Sequence, residues 1–231
     1  MLKILVLGRN KKSVSFVNKK ILKYKNLKLS RNPEIIISVG GDGTYFYNER
    51  KYPKIPKLLV RDNSICKLCS IYNLSNIDFI LKKLNQKKFS LKENLKLDII
   101  HNNKKLAAIN DIVIRNKDQY EAIRFNVKVN NKSLNSNFIG DGIVVSTVFG
   151  STGYFNSITK TTFTKGLGLA FNNVPLRTHE ILNEGSIVEF SLLRGKAFVT
   201  ADNNRKIIKL TEKDKVKIKK SREKAFIVIL W

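Results

Sequence analysis

The apolar run Ile35-Ile36-Ile37-Ser38-Val39 ends directly in Gly40-Gly41-Asp42-Gly43-Thr44, and no other stretch constrains the fold as much. A short continuous apolar run bounded by glycines reads as a strand buried on both faces, the kind that builds parallel sheets. Three glycines at its end let the backbone turn sharply and press N–H groups against a ligand. A carboxylate between two of them would repel a phosphate unless it acted as a base or oriented a metal. The plain alternative is an Asp-Gly turn without a ligand. In an open parallel sheet, ligands bind beyond the carboxyl ends of the strands, where these five residues would lie.

The same rhythm surrounds the motif. Residues 3–7 read as a strand, 14–25 as an amphipathic helix, 58–60 as a third strand, and 76–84 as a helix capped by Ser75 or Asn76. They predict a small Rossmann-like parallel α/β domain over residues 1–88. Short strands with Asn- and Lys-rich turns then follow at 95–100, 112–115, 123–129, 142–146, 187–192, 197–200, 207–210, 216–218 and 226–230. That density predicts a C-terminal antiparallel β-sandwich domain over 89–231, with the active site in the cleft between the two domains.

Composition narrows the partners. The net charge of +26 invites a nucleic-acid reading. Yet the lysines run through the whole chain, and no RNA-binding signature or zinc-finger spacing accompanies them. A generally basic surface that attracts small polyanions is the first expectation, and a nucleic-acid face is the alternative. No apolar stretch reaches the roughly 18 residues of a membrane span. The first eight residues are too short and strand-like for a secretory signal, so the expected address is the cytoplasm. Cys66 and Cys69 form a CxxC pair, but His101 and His179 lie far from it, so a four-ligand zinc site is not expected. Two thiols of a reducing compartment are expected instead.

Gly140-Asp141-Gly142 repeats the glycine-flanked carboxylate ahead of a strand that runs into Gly150-Ser151-Thr152-Gly153-Tyr154. Backbone amides, two hydroxyls and an aromatic face suit a nucleoside. A Ser/Thr-rich turn before a helix is the alternative.

With GGDGT, Ala108-Ile109-Asn110-Asp111-Ile112, the Gly140 to Tyr154 segment and Val199-Thr200-Ala201-Asp202-Asn203 in this order, the chain resembles the NAD kinase family, its short archaeal-type members above all. GGDGT alone is shared with diacylglycerol, sphingosine and 6-phosphofructokinase relatives; the second and third segments narrow the choice. Asp111 stands where the family more often has Glu. Phe149 replaces a small hydroxyl residue of the usual Thr-Pro-Thr/Ser-Gly-Ser-Thr-Ala-Tyr. The loop from Val60 to Cys66 departs from the family's Asn-x-Gly…Gly-Phe.

The resemblance implies transfer of a phosphoryl group from ATP or polyphosphate to the adenosine-ribose 2′-hydroxyl of NAD, yielding NADP. It makes Asp42 the general base, with Gly40, Gly41, Gly43 and Thr44 on the donor phosphates. Asn110, Asp111, Asp141, Ser151, Thr152, Gly153, Tyr154 and Asp202 would then line the NAD pocket with Asp42. Mg²⁺ or another divalent cation would arrive on the donor without a metal site of the protein's own, and the working unit would be a homodimer or homotetramer. The rivals are a lipid or sphingoid-type kinase sharing GGDGT, and a non-catalytic nucleic-acid- or NAD-binding module.

Overall fold

The computed structural model of the chain describes residues 1–62, 72–175 and 177–231. Cys66, Cys69 and most of the divergent loop after Val60 lie outside the described residues. The chain forms two compact units, Met1–Asn94 with Lys224–Trp231, and Leu95–Glu223. The division falls after Asn94, not at 88/89, and the C-terminal residues return to the first unit.

The first unit contains β1 (Leu2–Gly8), α1 (Lys11–Ile21), β2 (Leu27–Leu29), β3 (Ile35–Val39), α2 (Asp42–Lys51), β4 (Lys57–Val60) and α3 (Ile77–Asn85). Its strands are parallel in the order β2-β1-β3-β4, with Gly8 opposite Val39 and Val39 opposite Val60. All five residues of β3 are buried, as its apolar run requires. Val17 and Ile21 of α1 and Ile80 and Leu84 of α3 pack with Ile4, Ile37 and Val228 in one core. Helix α1 starts before residue 14 because the Asn10 side chain accepts the N–H groups of Lys12 and Ser13, at 3.0 and 3.4 Å. Ahead of α3, Asn73 takes the capping role expected of Ser75 or Asn76. Its side chain accepts from the N–H groups of both residues and starts a one-turn 3₁₀ segment, Leu74–Asn76.

Helix α2 carries a buried charge pair. Lys57, fully buried at the start of β4, donates through Nζ to the Glu49 carboxylate and the Tyr52 carbonyl, and Glu49 is itself 2 % exposed. The residue before Glu49, Asn48, donates through Nδ2 to Ser38 Oγ on β3 at 2.9 Å.

The second unit runs from the Leu95 end of β5 (Phe89–His101) through β6 (Lys104–Ala108), β7 (Asp111–Asn116), β8 (Ile123–Val129), β9 (Lys132–Gly140) and β10 (Gly142–Thr147). A π-turn at Ser151–Phe155 leads into the short α4 (Asn156–Thr159). Strands β11 (Leu167–Asn172), β12 (His179–Leu182), β13 (Val188–Arg194), β14 (Ala197–Ala201), β15 (Ile208–Leu210) and β16 (Lys215–Leu230) follow. The strands expected at 216–218 and 226–230 are therefore one.

Six strands form an antiparallel sheet in the order β12-β11-β10-β7-β14-β15. Strands β13 and β8 pair with β16 and β9 in a second antiparallel set, beside the β5-β6 hairpin. Ile112, Ile114, Val145 and Leu169 from the six-stranded sheet meet Phe125, Val127, Phe190 and Val216 in a single core, making a β-sandwich. The outer side of the six-stranded sheet is also apolar. There Val113, Val144 and Ala170 are covered by Phe155 and Phe163, whose rings meet edge to face at 4.9 Å. No helix among the described residues is long and apolar enough to cross a membrane.

Candidate functional site

In the first unit the glycine motif forms the bend between β3 and α2. Gly40 has φ +143°, and a Cβ there would stand 2.6 Å from Thr44 Oγ1, so both conformation and space demand glycine. Gly40 donates its N–H to the Val60 carbonyl at 2.9 Å, and Thr44 donates to the Gly41 carbonyl at 2.9 Å. Gly40, Gly41, Gly43 and Thr44 all line one pocket of about 260 Å³. Gly40 and Thr44, expected as phosphate donors, therefore contribute surface there while their N–H groups serve the fold. Asp42, half-buried, is the first residue of α2, with Gly41 as its N-cap.

The pocket also has walls that sequence reasoning missed: Arg9 and Asn10 after β1, and Asp62 after β4. Their signal was positional, since each follows a strand next to β3. Gly8 makes the approach close. A Cβ there would lie 2.6 Å from the Val39 carbonyl oxygen.

In the second unit, Asn110 and Asp111 open β7 and are held from two sides. The Asp202 carboxylate, on a left-handed residue (φ +48°) after β14, accepts the N–H groups of Ile109, Asn110 and Asp111 at 3.0, 2.8 and 3.3 Å. Asp202 returns its own N–H to the Asp111 carbonyl at 3.0 Å. From the other side, the Asn110 carbonyl accepts from the Thr147 N–H at 2.9 Å and the Ser146 hydroxyl at 3.2 Å. Gly150 packs so tightly on this carbonyl that a Cβ would come within 2.3 Å of its oxygen.

The side chains of Asn110 and Asp111 face the turn at Gly153. A Cβ on Gly153 would lie 3.2 Å from Asn110 Nδ2 and 4.0 Å from Asp111 Oδ2. The Asn110 Oδ1 is buried and has no hydrogen-bond partner among the described residues, an acceptor left for a ligand or water. Beside the turn, the half-buried Tyr154 accepts from Asn172 Nδ2 at 3.4 Å. Ser151 is buried with its N–H on the Val148 carbonyl at 3.2 Å, and Thr152 is exposed.

Asp141 is not brought to this cluster within the chain. Ser146 lies opposite Asp111 across the β10–β7 ladder, whereas Gly142 lies opposite Arg115. Four residues of strand separate the two ends by about 13 Å. Asp141 instead accepts from the side-chain amides of Asn116 and Asn173, each at 3.4 Å. Gly142 (φ +129°) passes so near the Ile114 carbonyl that a Cβ would fall 2.0 Å from its oxygen. This second Gly-Asp-Gly thus builds a tight turn between β9 and β10. No group of three or more His, Cys, Asp or Glu among the described residues could hold a metal ion.

Burial, reinforced by the Asp202 carboxylate, pushes the Asp111 acid up to about 7. A native acid raised above its unfolded value binds protons that the unfolded chain has released, so its contribution falls as pH rises. Stability from this group is complete below about pH 4 and is lost towards pH 7, on the order of 4 kcal/mol. Asp111→Asn should therefore melt above the parent at pH 8, with the difference closing below pH 4. Parallel melting curves at every pH would contradict the assignment.

No protein-family model matches the chain. Over 133 residues, 55% of the chain, it is 32% identical to an NAD kinase of Sulfurimonas denitrificans, spanning 46% of that protein. Over 95% of the chain it is 26% identical to an NAD kinase of Clostridium beijerinckii, 80% of which is covered. The chain thus spans about half the length of the first relative and four-fifths of the second. A crystal structure of an NAD kinase from Archaeoglobus fulgidus in complex with ATP has the same fold. Its TM-score is 0.82 at 20% identity, with 98% of this chain and 93% of the other covered.

Proposed function

We propose that this chain, which belongs to the NAD kinase family, transfers the terminal phosphoryl group of ATP or polyphosphate to the 2′-hydroxyl of the adenosine ribose of NAD, giving NADP. The observation that carries this activity is the Asn110–Asp111 pair against Gly153, with its unpartnered amide oxygen. An amide offers one donor and one acceptor edge to an adenine, and the neighbouring carboxyl suits ribose hydroxyls. Near pH 7, Asp111 can serve as either acceptor or donor, because its acid titrates there.

A sugar hydroxyl is a poor nucleophile, and Asp42 is the base assigned to it. The 2′-oxygen attacks the donor's terminal phosphorus, and its proton passes to the Asp42 carboxylate. The bond between that phosphorus and the bridging oxygen breaks, and ADP or a shortened polyphosphate leaves with the electron pair. Positioning and charge neutralisation dominate such a transfer. Mg²⁺ or another divalent cation arriving on the donor supplies neutralisation. As the resemblance implies, the working unit is a cytoplasmic homo-oligomer.

Purified protein with Mg²⁺, NAD and either ATP or polyphosphate should form NADP, read by an NADP-specific dehydrogenase. No NADP, with phosphorylation of diacylglycerol or a sphingoid base instead, would replace this function with the lipid-kinase one. Tyr154→Ala should weaken NAD binding about tenfold while changing kcat less, because its ring supplies contact area rather than chemistry. An unchanged Kd for NAD would remove Tyr154 from the pocket.

A further inference from the structure

The glycine-motif pocket has two charged lining side chains among the described residues, Arg9 and Asp62. We propose that Arg9 is the side chain that binds the donor's phosphate chain, an inference that rests on the donor pocket proposed above. Three observations converge on it.

The tight passage of Gly8 against Val39 brings the end of β1 beside the glycine bend, so residue 9 borders Gly40 and Gly41. Its neighbour Asn10 turns its own side chain back onto the Lys12 and Ser13 N–H groups, which leaves Arg9 as the outward-facing polar group at this corner. Arg9 is exposed, and no ion pair among the described residues occupies its guanidinium.

The other lining residues make the arginine matter more. Gly40 and Thr44 commit their N–H groups to the fold, so fewer backbone donors face the pocket than the three glycines suggest. Without Arg9, the charged side chain remaining on the wall is the Asp62 carboxylate, which repels a polyanion. A planar guanidinium can meet two phosphate oxygens at once, which an ammonium cannot do in the same geometry.

The test uses inorganic tripolyphosphate, which presents the phosphate chain without a base or sugar. Calorimetric titration of the parent, Arg9→Gln, Arg9→Lys and Lys12→Gln separates the outcomes. Lys12→Gln removes the same charge from the same helix start, but Lys12 does not line the pocket. Arg9→Gln should weaken tripolyphosphate binding roughly ten- to hundredfold, with Arg9→Lys recovering part of it. Lys12→Gln should change it by less than about threefold, and Kd for NAD should stay the same throughout.

Near-parental binding by Arg9→Gln, or an equal loss in Lys12→Gln, would overturn the assignment in favour of general surface charge. The NADP assay keeps the two proposals apart. Arg9-dependent tripolyphosphate binding without NADP formation would sink the kinase activity and leave Arg9 in place. NADP formation with an unchanged donor KM in Arg9→Gln would do the reverse.

Discussion

Asp42→Asn should yield a folded protein that still binds NAD but has lost most of its phosphoryl transfer, a fall of about 10²- to 10⁴-fold in kcat. Asparagine matches aspartate in shape, and the N-cap of α2 is Gly41 rather than Asp42, so the helix should start at the same place. What disappears is the ability to take the proton of the attacking hydroxyl. KM for NAD should barely move, because the adenosine contacts are assigned to Asn110 and Asp111. Kinetics at saturating donor, with NAD affinity measured separately, decide the matter. Turnover within threefold of the parent would remove Asp42 as the base.

The largest effect on stability belongs to Lys57. Lys57→Met should destabilise the protein by about 3–5 kcal/mol, because it removes the ammonium group paired with the buried Glu49 carboxylate. Glu49 sits in the helix that starts at the glycine motif, and Lys57 sits opposite Ile36 on the strand beside β3. A pairing this deep orders the neighbourhood of Asp42 without touching a ligand. Replacing both residues, Lys57→Met with Glu49→Leu, should recover most of the loss, since no charge then remains buried alone. Denaturant midpoints of the two variants measure this. A single variant within about 1 kcal/mol of the parent would show that the pair is dispensable.

Local pattern predicted β3 and its glycine bend because only glycine satisfies the space at Gly40, and that requirement is written in the residue type; helix α2 behind the bend carried no such signal. Residues 104–108 and 132–140 gave no strand signal. Lys104-Lys105-Leu106-Ala107-Ala108 lacks β-branched residues, and the second stretch is mostly polar. Leu167–Asn172 was obscured by its glycine and alanine, although every residue but the last is buried. The lysines at 219, 220 and 224 resemble a turn between two strands, yet all three are exposed residues of the continuous β16.

At the site, Asn110, Asp111 and the Gly150–Tyr154 turn were legible because they are contiguous segments that fold onto each other. Asp141 was not, because two Gly-Asp-Gly copies look identical in sequence while strand register puts this one at the far end of β10. Asp202 was seen as a pocket residue, but its carboxylate is occupied with three backbone N–H groups. Arg9 carried no motif at all.

The return of Lys224–Trp231 to the first unit has a consequence for synthesis. Val228 belongs to the core formed by Ile4, Ile37 and Leu58, and the Leu230 N–H donates to the Tyr72 hydroxyl at 2.9 Å. The N-terminal half of the chain therefore leaves the ribosome lacking a strand that is translated about 130 residues later, and until then one flank of β4 has no partner. The sheet that carries the glycine motif can be completed only after nearly all of the β-sandwich has been made. A nascent chain released before residue 228 should carry the glycine motif on an incomplete, aggregation-prone sheet.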